Sequence, residues 1–415
     1  MSSLAPAPDL AIDPDALGQQ IEQLGRIGEQ PGGGIIRPVY SPAWVEARRQ
    51  LASWMQAAGL EVREDAVGNL FGRLEGPEQR TLLTGSHIDT VKLGGRYDGA
   101  LGVLAGLAAL RVLHERAGRP NRSLEVVALC EEENSRFSAN FWGTRGMLGL
   151  IERAELDTLR DEDGVTIGEA MRAVGLPAER FREAVRDDLD LFLELHIEQG
   201  RILFDSGVQL GIVQTITGIV HDLVVVEGRT DHAGTTPMDL RRDAFQGAAE
   251  MAREATRLVE AEGAPAVVTT GRWSVQPGAW NIVPGRVEFT LDLRHPDEPT
   301  KQRLAAAVRE RCRSIAAQRG LTVSIETHQD VLPMDMDARL AGALLRAAEA
   351  RGASHRPMVS GAGHDSQVMA RRVPTAMLFV PSVEGRSHSA AEYTSPDDAA
   401  RGATVLATAL HRLAY

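Results

Sequence analysis

The residues of this 415-residue chain best suited to chemistry fall in a few short stretches. GSHIDT (Gly85 to Thr90) follows an apolar run and puts His87 at a strand exit, with Asp89 two residues on. That is a metal-ligand arrangement with a carboxylate behind it, although a single loop histidine held by hydrogen bonds is the commoner outcome. In GGRYDGALG, Asp98 sits between a glycine-rich loop and an apolar helix, a place compatible with an N-cap, a cation ligand or both. Glu131, Glu132 and Glu133 directly follow the apolar run LEVVALC. Three adjacent carboxylates at the end of a buried strand repel one another unless protons or a cation compensate. A solvated charge run fits poorly at the carboxyl edge of a sheet, where α/β ligand sites form. LELHIEQG ends another apolar run with His196, and GRSHSAAEYT sets His388 in a loop of small residues. Three imidazoles (His87, His196, His388) and two carboxylates (Asp98, Glu133) suit Zn2+, Mn2+ or Co2+ better than Ca2+ or Mg2+. Five ligands exceed one open site and match two metals sharing a carboxylate, the template for hydrolysis by an activated water.

The elements that must position these residues alternate between strand and helix. Helical spacing predicts helices over Leu17–Ile27 and Ser41–Ala58, the second stopped by Gly59. Strand-like runs surround a turn at Gly68-Asn69. Buried strands are predicted over Thr81–Ser86, Leu124–Cys130, Leu191–His196 and Pro374–Val380, with an apolar helix over Gly99–Glu115. This is the pattern of a three-layer α/β domain with a mixed sheet. The middle of the chain has another rhythm: strand His221–Gly228, helix Asp239–Glu262, strands Ala266–Gln276 and Arg286–Arg294, helix Thr300–Arg319, strand Leu321–Thr327. That β-α-β-β-α-β order predicts a small α+β domain over 217–330, inserted into a catalytic domain made of 1–216 and 331–415. Residues 1–15, rich in Pro and Ala, are expected to be disordered.

Composition excludes other classes. Lys plus Arg number 45 against 57 Asp plus Glu, a net charge of −12, which disfavours nucleic acid. Hydrophobic residues at 43% and charged ones at 25% are ordinary globular values. No apolar run reaches the length of a membrane span, and the N-terminus lacks a signal-peptide pattern. Cys130 and Cys312 cannot make a disulfide framework, so the cytoplasm is the expected compartment. The glycines of GGRYDGALG do not form a dinucleotide fingerprint.

With these motifs in this order, together with DHAGTTPM, NIVPGRVEFTLDLR and SGAGHD, nearly the whole chain resembles the M20 metallopeptidase superfamily. The resemblance is to its amidase branch of allantoate amidohydrolases, N-carbamoyl-L-amino-acid hydrolases and β-ureidopropionases. The resemblance implies that Asp98 bridges two divalent ions, with His87 and His196 completing one site and Glu133 and His388 the other. Glu132 would be the general base and Asp89 would orient His87. His232 would polarise the substrate carbonyl, in its own or a partner subunit. Gln199, Asn281, Arg294, Gly361 and His364 would bind substrate, Arg294 on its carboxylate, with Asp365 lining the same cleft. Asn134 stands where the family usually has glycine and should affect loop geometry only. EEENSRF followed by FWGTRGM resembles the allantoate enzymes, which release ureidoglycine, ammonia and carbon dioxide. An N-carbamoyl-L-amino acid or β-ureidopropionate is the alternative substrate, and a dipeptide or acyl amino acid the lesser one. A homodimer formed through the inserted domain is also implied, with no nucleic-acid or membrane partner.

Overall fold

The apolar runs of the chain become strands whose side chains alternate between two cores, and this alternation layers the first of two units. The computed structural model describes residues 8–415. The first unit comprises the described residues up to Gln214, with Met336–Met358 and His364–Tyr415; the second comprises Thr215–Asp335 and Val359–Gly363.

The large sheet contains β1 (Glu61–Glu64), β2 (Leu70–Leu74), β3 (Glu78–His87), β4 (Arg122–Leu129), β5 (Leu189–Ile197), β6 (Leu210–Ile216), β7 (His355–Ser360) and β8 (Thr375–Val380). Their order is β1-β2-β4-β3-β5-β8-β6, with β7 also on β6. The four central strands β4, β3, β5 and β8 are mutually parallel, whereas β2 and β6 run antiparallel to their neighbours. This is the mixed sheet expected. Leu82, Leu124, Val126, Leu193 and Leu195 enter one core, with Leu101, Leu104 and Leu406 from covering helices. Leu83, Val127, Leu129 and Phe192 enter another, with Met147, Val368 and Met369. A parallel sheet buried on both faces reads as continuous apolar runs for this reason.

The helix Ala100–Ala117 is buried almost all round, because it lies between the sheet and the helix Pro396–Ala414. Its small residues permit that approach. A Cβ on Gly102 would lie 2.4 Å from the Leu195 carbonyl oxygen and 2.7 Å from the Ser86 Cβ. The helix backbone thus rests directly on β5 and β3, one residue before His196 and His87.

Two expectations need correction. The disorder expected over residues 1–15 is not found in the described part of that stretch, where Leu10 and Ile12 are buried, and residues 1–7 lie outside the described residues. The Ile12 N–H donates to Thr404 Oγ1 at 3.0 Å, and Asp13 caps the helix Pro14–Gly25. Two apolar side chains with a groove to fill outweigh a Pro/Ala-rich composition. The helix expected from Asp239 begins instead at Ala244, where the Asp243 carboxylate caps it by accepting from Phe245 and Gln246 N–H.

In the second unit the strands Gly218–Glu227, Arg286–His295, Thr322–Val331 and Trp273–Gln276 form an antiparallel sheet, with Val267–Thr269 also on Arg286–His295. The run Ala266–Gln276 is therefore two short strands, broken where Arg272 N–H bonds the Thr290 hydroxyl. Helices Ala244–Glu262 and Glu298–Arg319 bury Met251, Leu304, Val308 and Ile315 against Val224, Val226, Phe289 and Leu291.

Gly102→Ala should gain about 1 kcal/mol of helix propensity and lose about 1–3 kcal/mol to overpacking. A lower urea midpoint is expected, and an unchanged or higher one would show that the helix can lift off β5 freely.

Candidate active site

Four neighbouring parallel strands end on one edge, and each delivers a residue there. His87 is the last residue of β3, Glu131 to Glu133 follow β4, His196 is near the end of β5, and His388 lies in the loop after β8. Asp98 enters from the loop before the helix Ala100–Ala117. Its Oδ1 lies 3.2 Å from His196 Nε2 and 3.7 Å from His87 Nε2. Its Oδ2 lies 3.0 Å from His388 Nε2 and accepts from Gln199 Nε2 at 3.0 Å. Glu133 Oε1 is 3.6 Å from His388 Nε2, and Glu132 Oε2 is 4.0 Å from His87 Nε2. Each oxygen of Asp98 thus faces a different set of imidazoles.

The tautomers follow from the hydrogen bonds. His87 Nδ1 donates to the Asp89 carbonyl at 3.0 Å and His196 Nδ1 to the Ile197 carbonyl at 2.9 Å. Both Nδ1 atoms therefore carry a proton, and both Nε2 atoms are turned to the cluster. Asp89 holds His87 through its backbone; its Oδ1 is 3.8 Å from Nδ1, while its Oδ2 accepts the Glu133 N–H at 3.0 Å. Asp98 is not an N-cap. Gly99 takes that place at φ 63° without a side-chain cap, and a Cβ there would lie 2.4 Å from His87 Nε2.

The glutamate triplet divides. Glu131 turns inward, accepting from Phe137 N–H at 2.7 Å and Arg136 N–H at 3.3 Å, and anchors the loop. Asn134 takes φ 55°, in the left-handed region that asparagine tolerates. Cys130 bonds the Val67 carbonyl and stays out of the cluster. His364 packs edge-on against His196, ring centres 4.5 Å apart. Asp365 is buried and accepts from Thr144 Oγ1 at 2.6 Å.

Sequence reasoning missed three buried groups. Glu194 accepts from Ser86 Oγ and Ser366 Oγ. Arg37 donates to the carbonyls of Ile88, Leu24 and Ile27 and so pins the His87 loop. Glu392 accepts from the backbone N–H groups of Tyr97 and Asp98. Only Glu392 left a signal, as a carboxylate four residues after His388.

Burial and the neighbouring Glu133, Asp365 and Asp98 push Glu132 well above the usual carboxylate range. Burial, then Asp98 and Asp89, does the same to Glu133. Burial also opposes ionisation of Asp98, but bonds from His196 and His388 outweigh it and hold Asp98 well below that range. Burial lowers His196, yet its bond to Asp98 raises it to about 9. The donors fit divalent cations. His87, Asp98 and His196 form one group whose atoms lie within 4.8 Å, and Asp98, Glu133 and His388 form another. Asp89 Oδ1 is buried with no hydrogen-bond partner, a residual negative potential that a cation would relieve.

His232, Asn281, Arg294 and Gly361 belong to the second unit. His232 Nδ1 accepts from Gly234 and Thr235 N–H, which leaves its Nε2 as a donor. The Asn281 carbonyl accepts from Ala233 N–H. Arg294 is held by both oxygens of Asp292 and by the Gly361 carbonyl at 2.7 Å. Three of its five N–H groups are thereby used and two remain.

A layered α/β unit with a buried His/carboxylate cluster at its carboxyl edge is the build of a metal-dependent hydrolase. Residues 83–412 match the model of Peptidase family M20/M25/M40, and the chain belongs to this family. It is 41% identical to an allantoate amidohydrolase of Bacillus subtilis (strain 168), over 95% of this chain and 96% of that one. It is 42% identical to an N-carbamoyl-L-amino-acid amidohydrolase of Paenarthrobacter aurescens, over 94% and 95%. Among solved structures, a hydantoinase/carbamoylase-family amidase from Burkholderia multivorans superposes with a TM-score of 0.90 at 35% identity, covering 98% of both chains.

The raised His196 makes the cation-free protein pH-sensitive. Its pairing with Asp98 stabilises the fold fully below the ordinary 6.5 and is lost as pH rises through about 9. Glu132 and Glu133, protonated more readily folded than unfolded, act in the same direction from lower pH. The Tm of chelator-treated protein should fall between those values and become flatter in saturating Mn2+. A rising Tm would contradict the pairing.

Proposed function

We propose that this hydrolase cleaves a ureido C–N bond of a small anionic substrate, allantoate foremost, giving ureidoglycine, ammonia and carbon dioxide. The observation that carries this reading is the carboxylate of Asp98, whose two oxygens face separate imidazole sets beside Glu132 and Glu133. Two divalent ions (Zn2+, Mn2+ or Co2+), held by His87, Asp98 and His196 and by Asp98, Glu133 and His388, would polarise the carbonyl and acidify the attacking water.

Glu132 is the general base. Burial and the neighbouring carboxylates raise its proton affinity, which suits a carboxylate that takes a proton from water and returns it to the leaving nitrogen. Asp89 keeps His87 in its tautomer and fixes the Glu133 backbone. His232, with a donor Nε2, polarises the substrate carbonyl. Arg294 presents its two remaining N–H groups to the substrate carboxylate, and Gln199, Asn281, Gly361 and His364 are the further substrate-binding residues of this reading. Homodimerisation through the second unit is supported by the exposed edge strand Thr322–Val331. Two buried, unpaired cysteines suit the cytoplasm. Among the described residues no helix is long and apolar enough to cross a membrane.

EEENSRF and FWGTRGM favour allantoate; N-carbamoyl-L-amino acids are the second reading, favoured by the 42% identical relative. Comparing kcat/KM for allantoate with that for a panel of N-carbamoyl amino acids separates them, and a higher value for any of the panel would replace the first reading. Glu132→Gln should keep bound metal and lose about 10^2–10^4 in kcat; near-normal turnover would remove Glu132 from the base role. Arg294→Ala should raise KM about 10–100-fold, the loss of a charge-assisted bond, with a smaller change in kcat. An unchanged KM would place the substrate carboxylate elsewhere.

A further inference from the structure

Glu392 is a buried carboxylate to which the reading above gives no part. It sits in the loop between β8 and the helix Pro396–Ala414, 5% exposed. Its Oε1 accepts two backbone N–H groups, from Tyr97 at 2.8 Å and Asp98 at 3.0 Å. Its Oε2 accepts the Ser387 hydroxyl at 2.8 Å. Gln199 Nε2 lies 3.3 Å from that hydroxyl oxygen and 3.0 Å from Asp98 Oδ2. The contacts close a ring: Asp98 backbone, Glu392, Ser387, Gln199, Asp98 carboxylate. Ser387 is the residue before His388, so the ring ties the loop bearing Asp98 to the loop bearing His388. Gly95 makes room for it. A Cβ there would lie 2.1 Å from Glu392 Oε1, although the backbone of Gly95 is outside the left-handed region.

A buried charge that accepts three hydrogen bonds and receives no direct ion pair is expensive to retain for stability alone, particularly beside another carboxylate. We propose that Glu392 is a positioning residue for the metal centre: it locks Asp98 and His388 into one rigid unit, so that the shared carboxylate presents its two oxygens in fixed directions. The inference rests on the reading of Asp98 and His388 as ligands. A group behind a ligand commonly controls metal affinity by about 10–100-fold.

Three variants of the full chain test it, with Co2+ titration followed by visible d–d absorbance and by the amount bound after dialysis. In Glu392→Gln the amide oxygen can still accept from Tyr97 and Asp98, and the amide nitrogen can donate to Ser387. It should bind Co2+ with the stoichiometry and spectrum of the parent. Glu392→Ala and Gly95→Ala should each weaken at least one ion about 10–100-fold and alter the spectrum, while circular dichroism stays that of the parent. If Glu392→Ala does not fold, Gly95→Ala and Ser387→Ala carry the same comparison. Parent-like Co2+ binding by the folded Ala variants would overturn the positioning role, as would a Gln variant no better than the Ala variant. A parent protein that binds no Co2+ would overturn the ligand reading itself, and the inference with it.

Discussion

Buried like charges govern this protein. Asp89, Asp98 and Glu131 are buried, and Glu132 and Glu133 lie nearly so, all at one edge of one sheet. In a medium of low polarity such a set survives only if protons, hydrogen bonds or cations neutralise it. Asp98 is stabilised by imidazoles, whereas Glu132 and Glu133 are left to protons, and so is Glu131, which burial and Asp89 push up to about 8 despite two backbone N–H bonds. Divalent cations answer the same demand, so the arrangement that makes the chelator-treated cluster pH-sensitive is the one that would make it a strong cation site. The global charge of −12 says little about an anionic substrate, because the field at this edge is set locally.

The fold supplies that edge by ordinary means. Four adjacent parallel strands bring loops distant in sequence to one line, and the helix Ala100–Ala117 brings Asp98 down onto it. Glycines act at two decisive places. Gly99 leaves space for His87 and Gly102 lets the helix rest on β5. Both are contacts that any side chain would obstruct.

Much of this was legible in the sequence because the information was local. Apolar runs marked the central strands, and His87, Glu133 and His196 stood at their ends. The alternation of strands and helices in the middle segment was visible from periodicity and glycine stops, except that the one strand read over Ala266–Gln276 is two. What escaped depended on distant partners. Glu392 and Arg37 act by reaching backbone groups elsewhere in the chain; a lone arginine carries no mark of that, and the spacing of Glu392 from His388 was its one trace. Asp98 read equally well as an N-cap; Gly99, at positive φ, took the cap and freed the carboxylate for the imidazoles. The tail of Leu10 and Ile12 misled for the opposite reason, since composition outweighed two apolar residues that had a groove waiting.

The central claim is that a single carboxylate, Asp98, serves two ions. Metal stoichiometry by mass spectrometry of native, Mn2+- or Zn2+-equilibrated protein tests it directly. Two ions per chain are expected in the parent, one in His388→Ala and none held tightly in Asp98→Ala. Two ions retained by folded Asp98→Ala would contradict it.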